Sequence, residues 1–82
     1  MKNSETAMLM AALKLAYPKY YVGQTEDESR QAAKLWNSML EDYTYADVMP
    51  AVKAVIVTSK FPPTIADIIE KIRDFRGREM RN

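Results

Sequence analysis

The sequence predicts an all-α fold, a small bundle of about four helices with a Pro-Pro elbow between the last two. The 82 residues contain only two glycines, which leaves few tight turns for hairpins. Apolar residues recur mainly at intervals of three and four, the spacing of a helix face. The adjacent Pro62 and Pro63 cannot lie inside a helix, because neither has a backbone N–H. A chain of this length predicts a single domain over residues 1–82.

The first predicted helix covers residues 4–17, with Ser4 or Asn3 as its N-cap. Residues 8–16 are apolar except for Lys14. Such continuous apolarity indicates either a central helix that is buried on most sides or an apolar strip left for a partner. We favour the central helix, and we expect Pro18 to end it.

A predicted connection, residues 19–24, contains Tyr20 and Tyr21. A tyrosine in a connection either covers the core with its hydroxyl group in water or anchors an interface. We interpret one of the two as a cover for the core and leave the other open. Tyr20 and Tyr21 are therefore candidate partner-binding residues.

The second predicted helix covers residues 25–42 and begins with the clearest local signal in the chain. Thr25 and Glu28 have the spacing of a capping box, and acidic residues 26–28 fill the first turn, where the helix dipole favours negative charge. We interpret these carboxylates as a helix start and not as a metal site, because consecutive helical side chains point in different directions. The face predicted to be buried consists of Ala32, Leu35, Trp36, Met39 and Leu40.

The third predicted helix covers residues 45–59. Residues 52–57 are β-branched enough to resemble a strand, but the spacing of apolar residues favours a helix. Two N-terminal start positions are possible for this helix. With Thr44 as N-cap, Pro50 lies inside the helix and removes a backbone hydrogen bond; with Asp47 as N-cap, Pro50 lies in the first turn, where its missing N–H costs nothing.

The elbow, residues 59–68, ends this helix and starts the last one. Phe61 precedes a proline and is predicted to be extended, with its ring folded inward as a plug. Thr64 is the predicted N-cap of the last helix, residues 65–77, and Gly77 is its predicted C-terminal cap. The apolar stripe of that helix consists of Ile65, Ile68, Ile69, Ile72 and Phe75.

The end of the chain is basic. Its four arginines are further candidate partner-binding residues: Arg73, Arg76, Arg78 and Arg81. Cations also suit the C-terminal end of a helix, so the same residues fit a purely structural role.

Composition argues against several classes of chemistry. The chain has no cysteine and no histidine, so thiolate metal sites, disulfides and Ser-His-Asp catalysis are excluded, and the usual general base near neutral pH is absent. Two isolated glycines cannot form a phosphate-binding loop. We therefore predict that the protein is not an enzyme and uses no cofactor and no metal.

The sequence also predicts a soluble intracellular protein. No apolar run approaches the roughly 20 residues of a membrane-spanning helix, and the N-terminus lacks the features of a signal peptide. The net charge of +1 gives no general attraction to nucleic acid.

Several short patterns carry a family resemblance: Tyr17-Pro18, Trp36 to Leu40, Tyr43, Tyr45 to Val48, Ala51-Val52 and the run from Lys60 to Ile68. Through them, residues 5–75 resemble the phage replicative-helicase loader and inhibitor family. The aromatic-Pro-Pro-Thr-Ile run at residues 61–65 is the most specific part. The matching residues look like fold-bearing positions and not like contacts with a partner: Tyr17, Trp36, Leu40, Phe61, Pro62, Pro63, Ile65 and Ile68.

The resemblance implies a non-enzymatic adaptor that binds a DnaB-like hexameric replicative helicase, holds it inactive and delivers it to an origin-bound initiator. In this family the helicase, and not the loader, hydrolyses ATP. Family members generally carry a polar, flexible C-terminal tail implicated in partner binding, so we expect these residues to be either a folded domain without its tail or a short member. The expected state is a monomer in the cytoplasm of the bacterial host.

Two other classes of function stay open. The helices beside the elbow could form a small helix-turn-helix-like DNA-binding regulator, although the low net charge disfavours direct nucleic-acid binding. Its phosphate contacts would be Lys60, Arg73, Arg76, Arg78 and Arg81. Alternatively, the apolar excess of residues 8–16 could make the chain an oligomerising module.

Overall fold

The computed structural model of the chain describes the backbone of residues 1–80 and the side chains of residues 1–77. This part of the chain contains no strand, so the all-α class is confirmed. Its five helices are α1 (Asn3–Ala16), α2 (Pro18–Tyr21), α3 (Glu26–Met39), α4 (Tyr45–Thr58) and α5 (Ile65–Met80). The number exceeds the expected four because α2, a single turn with proline at its start, forms where a connection was predicted.

Three of the long helices, α3, α4 and α5, begin with the same reciprocal pair of hydrogen bonds. In each, a threonine hydroxyl accepts from the backbone N–H three residues on, and the acidic side chain there accepts from the threonine N–H. The pairs are Thr25 with Glu28, Thr44 with Asp47, and Thr64 with Asp67. The predicted N-caps of α3 and α5 are confirmed, and α4 uses the first of its two predicted starts.

Helix α1 starts differently from the prediction. Its N-cap is Lys2, whose backbone N–H donates to Glu5 Oε1 at 2.7 Å. The predicted caps Asn3 and Ser4 are wrong, because both already lie inside the helix. The Glu5 carboxylate makes the same bond to the N-cap N–H that Glu28, Asp47 and Asp67 make in the other helices, but α1 has no threonine hydroxyl to complete the pair.

Pro50 lies inside α4, as the start at Thr44 requires. It lacks the N–H that would bond to the carbonyl one turn earlier, and its side chain is exposed. The helix nevertheless continues to Thr58 and ends at Ser59, near the predicted end.

Helix α1 lies antiparallel to α3. Near the start of α1, Thr6 Oγ1 donates to Asn37 Oδ1 at 2.6 Å, close to the end of α3. Near the end of α1, Lys14 Nζ donates to Ser29 Oγ in the first turn of α3. Thr6 is buried, so its bond to Asn37 satisfies a polar group inside the α1–α3 contact.

Helices α1 and α4 run parallel, and α5 runs back antiparallel to α4. The hydroxyl of Tyr17, just after α1, donates to the carbonyl of Ser59, just after α4, at 2.9 Å. At the other end of α4, Arg76 of α5 pairs with Asp47. Both ends of α4 are therefore tied to a neighbouring element.

The core lies between the four long helices. Its fully buried side chains include Leu9, Leu13, Leu40, Val48, Val52 and Ile68. Trp36 is buried with them, and the predicted stripe of α5 is confirmed, since two of its members are buried and three pack partly buried against the core. None of the helices in the described part of the chain is long and apolar enough to cross a membrane.

The predictions for four individual residues are wrong. Leu35 and Met39 are exposed, because α3 packs mainly against α1 and buries only the narrower face around Trp36. Phe61 is also exposed, and Pro63 is the buried member of the Pro-Pro connection. Gly77 does not end the last helix, since α5 continues to Met80.

The apolar run of α1 is buried on one side of the helix and exposed on the other, so each predicted interpretation describes one side. Leu9 and Leu13 are fully buried in the core, as a central helix requires. Met8 and Leu15 are exposed on its other side, so an apolar strip also remains.

Candidate functional site

Three aromatic rings lie together where α1 and α4 end. Tyr17 is buried, and Tyr20 packs against it edge to face, with ring centroids 6.5 Å apart and planes at 76°. Phe61 packs against Tyr20 in the same manner, at 6.0 Å and 72°. Tyr17 is thus the buried base of the cluster, whereas Tyr20 is 52% exposed and Phe61 is 65% exposed.

Exposed aliphatic side chains share this end of the molecule. Leu15 is 82% exposed in the last turn of α1, and Val57 is 83% exposed in the last turn of α4. Because α1 and α4 are parallel, their last turns lie at the same end, and the connection after α2 adds the exposed Val22. We call the surface of Leu15, Tyr20, Val22, Val57 and Phe61 the aromatic end.

Charges of both signs lie near the aromatic end. Residues 6–25 and 48–66 contain four lysines and no acidic residue. Three of these lysines, Lys19, Lys53 and Lys60, are exposed. Carboxylates also lie at this end of the fold, in the first turn of α3, where Glu26, Asp27 and Glu28 are exposed, and on α5, where Asp67 and Glu70 line a groove beside Ser59.

A second cluster lies at the opposite end of α4. The Arg76 guanidinium donates to Asp47 Oδ2 at 3.1 Å and lies 5.1 Å from the centroid of the Tyr43 ring. The pKa of Asp47 is lowered, chiefly because its carboxylate accepts a hydrogen bond from the Thr44 backbone N–H, with a smaller contribution from Arg76. We call Tyr43, Asp47 and Arg76 the arginine end.

The structure distinguishes the two candidate tyrosines. Tyr21 is partly buried against the core, and burial raises the pKa of its hydroxyl group, with the nearby Tyr17 adding to the effect. Tyr20 keeps half of its surface exposed. Tyr21 therefore covers the core and Tyr20 is free to contact a partner, and a partner-binding role for either stays a prediction.

The candidate arginines do not form one group with the tyrosines. Arg76 belongs to the arginine end, and Arg73 is exposed on α5. Arg78 lies in α5, but its side chain is outside the described residues, and Arg81 is outside them altogether. Since α4 has 14 residues, its two ends are about 20 Å apart. The tyrosines and Arg76 thus lie on two separate surfaces.

Sequence reasoning identified Tyr20 and missed the other four residues of the aromatic end, among them Val22 in the predicted connection. Phe61 was expected inside the core. Leu15 belonged to the apolar run 8–16, for which burial was favoured over a strip for a partner, and Val57 belonged to the β-branched run 52–57. The signal was present in those runs, since a helix with only one buried face must expose some members of a continuous apolar segment. The sequence did not specify which members.

The grooves and acidic side chains of the described residues are the other places where a ligand could bind. No group of three or more of their acidic side chains is placed to hold a metal ion. Their grooves are open, such as the one between α1 and α3 that Thr6 and Asn37 line. The two clear pKa shifts, at Tyr21 and Asp47, have structural causes.

Comparison with known proteins gives one match. The family model G39P_N, which represents the N-terminal domain of a phage helicase loader and inhibitor, matches residues 1–69. The match covers α1 to α4 and the Pro-Pro connection, and it ends in the second turn of α5. No curated protein and no solved structure matches the chain.

Proposed function

Because the chain belongs to the phage helicase loader and inhibitor family, we propose that it is a non-enzymatic adaptor in phage DNA replication. In this proposal it binds a hexameric DnaB-like replicative helicase, inhibits it and loads it at the origin, with an origin-binding initiator as a further partner. It acts as a monomer in the cytoplasm of the bacterial host. The match of the family model to residues 1–69 is the observation that carries the proposal.

The distribution of polar side chains supports an adaptor over an enzyme. The carboxylates of Glu28, Asp47 and Asp67 cap helices, and the buried hydroxyl of Thr6 is bonded to Asn37. Among the described residues, these groups have a structural role in place of a catalytic one. Exposed apolar side chains such as Tyr20 and Phe61, by contrast, keep more than half of their surface in water, and such side chains suit protein contacts.

The alternative of a DNA-binding regulator receives less support. Arg76, one of its proposed phosphate contacts, is engaged with Asp47 and the Tyr43 ring. Helix α5, which would follow the turn of a helix-turn-helix, also carries acidic residues along its length, among them Glu70 and Asp74. Phosphates would be repelled by these carboxylates. We propose that the chain does not bind nucleic acid directly.

The direct test is binding to the cognate helicase. The full-length protein, with any residues that its gene encodes after residue 82, is mixed with the hexameric helicase in the presence of ATP and analysed by gel filtration and by DNA unwinding. We expect a complex of helicase and chain that unwinds DNA more slowly than the helicase alone. Failure to form a complex at micromolar concentrations would overturn the proposal.

Two controls separate the proposed classes. The chain alone is assayed for ATP hydrolysis, and turnover would contradict the non-enzymatic role. Duplex DNA is titrated with the chain at several salt concentrations, and tight binding that weakens steeply with salt would support the DNA-binding alternative.

A further inference from the structure

We draw no further inference here: the strongest candidate, the exposed apolar surface patch at the aromatic end, has charges of both signs around it, and nothing in the described part of the chain shows what covers it.

Discussion

The two ends of α4 differ in how their surface side chains are used. At the arginine end, the charge of Arg76 is paired with Asp47 and its flat surface lies over Tyr43. At the aromatic end, Tyr20 and Phe61 contact each other and leave more than half of each ring exposed. The charged residue is satisfied within the chain, whereas the apolar residues are not. Exposed apolar surface is therefore the better guide to a partner here.

The exposed rings and the exposed ion pair differ in how much they affect the free energy of unfolding. Burial stabilises the fold by about 25 cal/mol for each Å² of apolar surface, and an exposed ring does not contribute this stabilisation. Phe61 has a buried proline two residues later, so its own connection does enter the core, and yet the ring stays outside. An exposed ion pair such as that of Arg76 contributes only about 0–1 kcal/mol, so its presence implies little about function.

The largest expected effect distinguishes the buried side of α1 from its exposed side. Leu13→Ala removes a fully buried side chain of α1 and should lower the free energy of unfolding by about 2–5 kcal/mol. Leu15→Ala, two residues later on the exposed side, should change it by less than about 0.5 kcal/mol. Urea denaturation followed by circular dichroism measures both. Similar values for the two variants would contradict the described orientation of α1.

A smaller effect is expected from the bond that fixes the aromatic end. Tyr17→Phe removes the hydroxyl group that donates to the Ser59 carbonyl and should cost about 1 kcal/mol, because a partly buried acceptor loses its partner. Tyr20→Phe, at the exposed ring, should have almost no effect on stability. The same denaturation assay compares them. If Tyr20→Phe lowered the free energy of unfolding as much as Tyr17→Phe does, the description of Tyr17 as the buried ring and Tyr20 as the exposed ring would be wrong.

Features of the fold that depend on neighbouring residues could be predicted from the sequence. The helix start at Thr25 was predictable because a threonine followed three residues later by an acidic residue satisfies the same backbone groups wherever it occurs. The stripe of α5 was predictable because its members recur at helical spacing. Local patterns therefore gave the class of the fold and most helix boundaries.

Features that depend on the packing of distant segments could not be predicted from the sequence. The exposure of Leu35 and Met39 depends on how much of α3 is covered by α1, and no local signal reports that. The pairing of Arg76 with Asp47 joins residues far apart in sequence. Phe61 was misplaced because an aromatic ring beside two prolines fits an inward or an outward orientation equally well. The candidate site thus required the arrangement of the helices in space.

A further prediction tests the arginine end directly. Arg76→Ala removes an exposed ion pair and a contact with the Tyr43 ring, so stability should fall by about 0.5–1 kcal/mol. Affinity for the helicase should stay at the wild-type value. A loss of binding would reverse the comparison and place the partner at the arginine end.

The smallest expected effect concerns pH. The pKa of Asp47 is lowered in the fold, so its carboxylate form is favoured by folding. Its contribution is complete above the ordinary value of 3.8 and is lost as the pH falls through the lower folded value. Thermal melts between pH 6 and pH 2.5 should therefore show a smaller acid loss for Asp47→Asn than for the wild type, by less than about 1 kcal/mol.

The same titration identifies which contact holds the carboxylate. Because the Thr44 backbone N–H is the main cause of the lowered pKa, Arg76→Ala should keep most of the acid dependence of the wild type. Raising the salt concentration screens exposed charges and should affect the hydrogen bond little, so the remaining dependence should persist at high salt. Complete loss of the acid dependence in Arg76→Ala would show that the ion pair dominates. The arginine end would then be held by charge and not by the start of α4.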